Sequence, residues 1–144
     1  MAHQNPSRDE IKEILSNSDI IAVVGLSDKP DRISYMVSEA MMAKGYTIIP
    51  VNPNANEILG QKSYATLKDI PVSVDIVNVF RRPEHTPPVA EEAAAIGAKT
   101  LWLQLGIANE EAADIASAAG MNVIMDRCIK VEDSILLPQG KSKS

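Results

Sequence analysis

The sequence predicts a doubly wound α/β domain with a parallel sheet of about five strands, and three observations carry the prediction. Short apolar runs rich in β-branched residues recur at 20–24, 46–51, 72–80, 100–105 and 121–125, each of a length that suits a buried strand. Between them lie segments with apolar residues at three- and four-residue spacing, as crossover helices require. Gly45, Gly97 and Gly120 each stand between such a segment and the next apolar run, where a helix commonly ends.

Taken in order, residues 1–6 read as a loose tail, with His3 as frayed chain and not a ligand. A first helix over 7–17 has Ser7 as N-cap, Glu10 as its capping-box partner, and Ile11, Ile14 and Leu15 as its apolar stripe. After the strand at 20–24 comes a polar loop, then a helix over 33–44 predicted to pack through Met36, Val37, Ala40, Met41 and Ala43. The second strand contains Pro50, which costs a ladder donor and so belongs near its end or at an irregular pairing. Asn52-Pro53-Asn54 then makes a turn. Ile58-Leu59-Gly60 reads as a short apolar hook, and 63–70 as a brief strand with a turn of helix at Leu67. Beyond the third strand, Thr86 and two prolines open a helix that runs to Ile96. Asn109 caps another that begins Glu110-Glu111, and 130–137 forms the last before a polar tail. The whole chain, 1–144, is read as a single domain with 1–6 and 138–144 as tails.

Composition narrows the function. At 144 residues with 45% hydrophobic and 23% charged side chains, one domain with a sizeable core is expected. A net charge of −5 and only 3% aromatics argue against nucleic acid, which would need a basic surface and rings for stacking. The single cysteine, Cys128, cannot form an internal disulfide, no apolar run reaches the roughly 18 residues of a membrane span, and no signal peptide is visible. Cytoplasmic localisation and no membrane association are the default expectations. No metal-ligand spacing involves Cys128, His3 or His85.

In an open parallel sheet, ligands bind beyond the carboxyl ends of the strands. Those ends here are Gly25-Leu26-Ser27, Asn52-Pro53, Arg81-Arg82-Pro83, Gln104 and Asp126-Arg127-Cys128. Gly25 permits a tight turn, Ser27 offers a hydroxyl, and Lys29 and Arg32 bring positive charge just before a helix start, a plausible phosphate cradle. With Arg81, Arg82 and Arg127, five cations gather on one edge of an acidic protein, which points to a polyanionic ligand. A nicotinamide dinucleotide is disfavoured. The loop lacks two glycines of G-x-G-x-x-G, and Val51-Asn52-Pro53 stands where an acid would hold the ribose. Arg127 beside Cys128 could favour its thiolate, and a buried inert thiol is an equal reading.

Taken together, IAVVGLS with KPDR, IIPVNP, DIVNVFRRPE, LWLQLG and MDRC resemble the small coenzyme A-binding proteins whose one domain is similar to the nucleotide-binding half of the succinyl-CoA synthetase α subunit. The resemblance covers nearly the whole chain. It implies a Rossmann-like fold holding coenzyme A, or an acyl-CoA, across the strand ends. It also implies that Gly25, Leu26, Ser27, Lys29 and Arg32 meet phosphates and that Val51, Asn52 and Pro53 line the nucleotide. Phe80 and Arg81, with Arg82 nearby, would close over adenine or a phosphate. In the synthetases a second domain carries the phosphorylated histidine and a partner subunit handles the nucleoside triphosphate. Only 129–144 follow the fifth strand here, and neither His3 nor His85 matches that histidine, so binding without turnover is expected. The remaining readings are an NAD(P)-dependent oxidoreductase and a subunit that binds a protein partner or a second copy of itself without a small ligand.

Overall fold

The computed structural model describes residues 3–140. The tail residues 1–2 and 141–144 lie outside the described residues. Helix α1 (Arg8–Ser16) opens on the expected capping box, with the Ser7 hydroxyl accepting from the Glu10 N–H and the Glu10 carboxylate accepting from the Ser7 N–H. Then follow β1 (Ile20–Val24), α2 (Ile33–Ala43), β2 (Thr47–Val51), the two-residue strands β3 (Glu57–Ile58) and β4 (Gln61–Lys62), and β5 (Ile76–Val79). The chain finishes with α3 (Thr86–Ala95), β6 (Thr100–Leu103), α4 (Glu110–Ala118), β7 (Asn122–Ile124) and α5 (Ile129–Leu136).

Five parallel strands form the main sheet in the order β2-β1-β5-β6-β7. Alternate side chains feed two apolar layers. Ala22, Val24, Val77, Val79, Leu101 and Leu103 pack against the alanine-rich faces of α3 and α4. Ile21, Val23, Ile48, Ile76 and Trp102 pack against α1, α2 and α5 on the opposite face. The chain leaves β1 through α2 on one face to reach β2, and later leaves β5 through α3 on the other face to reach β6. The two crossovers therefore diverge between β1 and β5, and that divergence opens the crevice where ligands bind in such sheets.

Several expectations need correction. The third strand is not 72–80 but the shorter β5, and Asp75 stands at its start: its N–H donates to the Ile20 carbonyl (3.0 Å), its carbonyl accepts from the Thr100 N–H (3.0 Å), and its carboxylate accepts from the N–H groups of Asp19 (2.8 Å) and Ile20 (2.9 Å). Val72 is exposed. β6 stops at Leu103, leaving Leu105 exposed. On α2, Val37 and Met41 are buried as predicted, but Met36 and Ala43 face outward, and the core-facing positions include Ser34 and Ser38. The apolar hook is the turn of the β3–β4 hairpin, with Leu59 and Gly60 both at positive φ. Pro50 is the penultimate residue of β2, near the strand's end as expected, and costs little: its carbonyl accepts from the Tyr64 N–H on the outer side, so its missing N–H faces away from β1. At the other edge, the Asn5 side chain donates to the Met125 carbonyl and accepts from the Met125 N–H, both at 2.8 Å.

Asp75 supplies an acid-sensitive tie between β1 and β5. Burial acts to raise its pKa, but the N–H groups of Ile20 and Asp19 and the ammonium of Lys99, 3.5 Å away, outweigh it and hold the carboxyl below its usual value. A depressed folded-state pKa contributes stability that is present above the unfolded value, about 3.9, and lost as pH falls through the folded one. Asp75→Asn is expected to cost about 1–2 kcal/mol at neutral pH, and to cost progressively less as pH drops below about 4. Urea denaturation of both proteins across that range checks this; a pH-independent difference would refute it.

Candidate functional site

The crevice is built on the turn that ends β1. Gly25 has φ +87°, a left-handed conformation that L side chains rarely adopt, and a Cβ there would run into the Phe80 carbonyl at the end of β5. Its N–H donates to the Val51 carbonyl (3.1 Å), and the Phe80 N–H donates to Val24 (2.9 Å), so the ends of β2, β1 and β5 are laced together at this point. The Leu26–Ser27 peptide is held from both sides. Its carbonyl accepts from Asn52 Nδ2 (2.9 Å), and its N–H donates to the Ser34 hydroxyl in the first turn of α2 (3.0 Å). Ser27 Oγ in turn accepts from the Lys29 N–H.

Above this turn lies an open cleft of about 590 Å³, lined by Gly25, Ser27, Lys29, Asp31, Arg32, Ile33, Ser34 and Phe80. The first turn of α2 carries no acid, and its N-cap Arg32 makes no side-chain capping bond, so helix N–H groups and two cations face the same space. Beyond Gly25, a second cleft of about 380 Å³ has a floor of Val24, Val51, Leu67 and Val89 beneath Arg81, His85 and Glu92. Arg81 Nε lies 3.5 Å from where a Gly25 Cβ would stand, at the seam between the clefts.

The structure thus brings Gly25, Ser27, Lys29, Arg32 and Phe80 to one cleft, and Val51 and Arg81 to the other. Leu26 is fully buried, backbone included, and lines neither cleft; its N–H makes no hydrogen bond among the described residues. Asn52 turns its amide toward the protein, while Pro53 and Arg82 are exposed and line neither cleft. Arg127 folds back onto the Asp126 carbonyl, and Cys128 is the half-buried N-cap of α5, packed in the same apolar cluster as Phe80. Among the described residues, Lys29, Arg32, Arg81 and Arg82 make no ion pair. The count of five cations overlooked Asp28 and Asp31, which share the loop and offset part of its charge. Sequence reasoning also missed Ser34, whose signal was a hydroxyl in the first turn after the loop, and Glu92, which lies on the inner side of α3 and accepts from the Leu67 N–H. Among the described residues there is no cluster of metal-ligating side chains, and no helix is long and apolar enough to cross a membrane.

Fold and crevice define a class: a Rossmann-like α/β domain with a cationic, glycine-turned crevice at its switch point. The sequence profile of the CoA binding domain matches residues 19–134, and the chain belongs to that family. It is 56% identical over 132 residues to the uncharacterised protein YneT of Bacillus subtilis, covering 92% of this chain and 98% of that protein. A hypothetical protein from Pyrococcus horikoshii has the same fold, with a TM-score of 0.89, 36% identity, and coverage of 95% and 99% of the two chains. The α subunit of an ADP-forming acetate–CoA ligase II from Pyrococcus furiosus is 27% identical over 122 residues, which are 77% of this chain and only 27% of that subunit.

Proposed function

We propose that this chain binds coenzyme A, or an acyl-CoA, across the crevice, and that it does so without catalysing acyl transfer by itself. The observation that carries this reading is the meeting of Lys29, Arg32 and the acid-free N-terminus of α2 over the Gly25 turn, inside the span matched by the CoA-binding family. A diphosphate suits that cleft. Two or three charge-assisted hydrogen bonds of about 1.5–3 kcal/mol each supply part of the roughly 8 kcal/mol that micromolar affinity needs, and the rest of the ligand has to supply the remainder and the association cost. Ile33, which is exposed, and the half-buried Phe80 add apolar surface within the same cleft, which a purely phosphate ligand would not use and a nucleotide carrying a long organic arm would. A protein partner or a second copy belongs to the same reading, since the ligase relative is by name an α subunit. The NAD(P) alternative gains nothing from the site, because no carboxylate stands at the end of β2, where Asn52 follows Val51.

The test is a thermal-shift comparison of coenzyme A with NAD at matched concentrations. Ligand binding to the folded state raises Tm by mass action, and at about 100 times Kd the stabilisation is about 2.7 kcal/mol. Coenzyme A is expected to shift Tm clearly more than NAD, and Arg32→Ala to weaken coenzyme A binding about tenfold. Equal shifts with both ligands, or none with either, would sink the assignment.

A further inference from the structure

We infer that Asn52 is the positioning residue of the crevice: it fixes the orientation of the Leu26–Ser27 peptide for a diphosphate and does not itself contact the nucleoside. This rests on the coenzyme A reading above and deepens it. Asn52 follows the last residue of β2, the place where an acid in dinucleotide-binding sheets would reach the ribose. Here both ends of the side-chain amide are engaged by the protein. Nδ2 donates to the Leu26 carbonyl at 2.9 Å, and Oδ1 accepts from the Asn54 N–H at 2.8 Å. The backbone is tied as well: its N–H donates to Tyr64 (2.9 Å) and its carbonyl accepts from Ser63 Oγ (3.0 Å).

The consequence falls on a single peptide plane. The Leu26 carbonyl and the Ser27 N–H belong to one planar unit, which cannot rotate without breaking either the Asn52 bond on one side or the Ser34 bond on the other. The plane follows Gly25, whose positive φ leaves the turn without a side chain to brace it. Asn52 and Ser34 supply the bracing from two different elements. The plane's own N–H is spent on Ser34, so what the bracing holds in place for an anion in the cleft is the Ser27 side chain, which lines it and has a hydroxyl proton to donate, and less ordering is left to binding. An aspartate at this position would have the right size but no donor for the Leu26 carbonyl, and its charge would face that oxygen.

Isothermal titration of Asn52→Ala and Asn52→Asp with coenzyme A, ADP and inorganic pyrophosphate tests this role. All three ligands contain the diphosphate, and only two contain a nucleoside. The expected result is a loss of about tenfold for each ligand, equal within twofold across the three, because one bond of this kind is worth about 1–1.5 kcal/mol. Ser34→Ala, which removes the opposite brace, is expected to reproduce the uniform loss should the Asn52 variants fold poorly. Ser63→Ala loosens the same turn without touching the Leu26–Ser27 plane, and is expected to lower Tm while leaving the three affinities within twofold of the wild type. A loss confined to coenzyme A and ADP would show that Asn52 touches the nucleoside and overturn the proposal. So would unchanged affinities, or a Ser63→Ala loss equal to that of Asn52→Ala. Failure of the wild-type chain to bind any of the three would overturn the coenzyme A reading itself, and this role with it.

Discussion

Gly25→Ala is expected to lower stability by about 3 kcal/mol, roughly 10 °C in Tm, and to abolish the stabilisation by coenzyme A. Two costs add. A non-glycine residue at φ +87° pays about 1–2 kcal/mol for the left-handed backbone alone. The new methyl group would also collide with the Phe80 carbonyl, which is backbone and cannot rotate aside. Relief requires the ends of β1 and β5 to part, and that movement would break the Phe80 N–H bond to Val24 and displace Arg81 from the seam. Thermal denaturation with and without coenzyme A measures both effects. A variant of wild-type stability that still responds to the ligand would show that the turn tolerates a side chain.

The second large effect is expected far from the crevice. Asp133, fully buried on α5, accepts from the Tyr46 hydroxyl at 2.7 Å and pairs with Lys44 Nζ at 2.9 Å. Burial first, and then the Asp133 carboxylate, push the Tyr46 phenol well above its ordinary range, so it remains a donor at any physiological pH. Asp133→Ala removes the charged acceptor of both groups, leaving the hydroxyl its longer bond to the Leu15 carbonyl (3.3 Å) and the ammonium its bond to Ser134 Oγ (3.0 Å), and is expected to cost about 3–5 kcal/mol. Tyr46→Phe removes one neutral donor and is expected to cost less, about 1–3 kcal/mol. Chemical denaturation of the two variants gives the ordering; a smaller loss for Asp133→Ala than for Tyr46→Phe would refute the account.

That acid was not visible in the sequence as a structural partner. Asp133 lies 87 residues beyond Tyr46, and only the packing of α5 beside α2 brings it to Lys44 and Tyr46. The elements themselves were legible, because each buried strand is an apolar run and each crossover a periodic one. Boundaries were less so: Val72 and Val74 alternate as a strand would, yet Val72 is exposed and pairing with the neighbouring strands starts only at Asp75 and Ile76. The same limit applies to the site. Residue type and strand-end position sufficed to anticipate that Gly25, Ser27, Lys29, Arg32 and Arg81 line the clefts, since backbone freedom and charge are properties of the residue alone. The inward turn of the Asn52 amide, the offset by Asp28 and Asp31, and the exposed position of Arg82 depend on side-chain direction, which spacing does not encode.

The two borders of the sheet bear on how the protein behaves when crowded against itself. A strand with one free side offers its N–H and C=O groups to any neighbouring chain and can seed aggregation. On β2 that side is taken by Tyr64 and by Pro50, which has no N–H to give. Beyond β7 the Asn5 amide occupies both polar groups of Met125, as a further strand would. A short polar segment near the amino terminus thus closes the far end of that border to a strand from another chain.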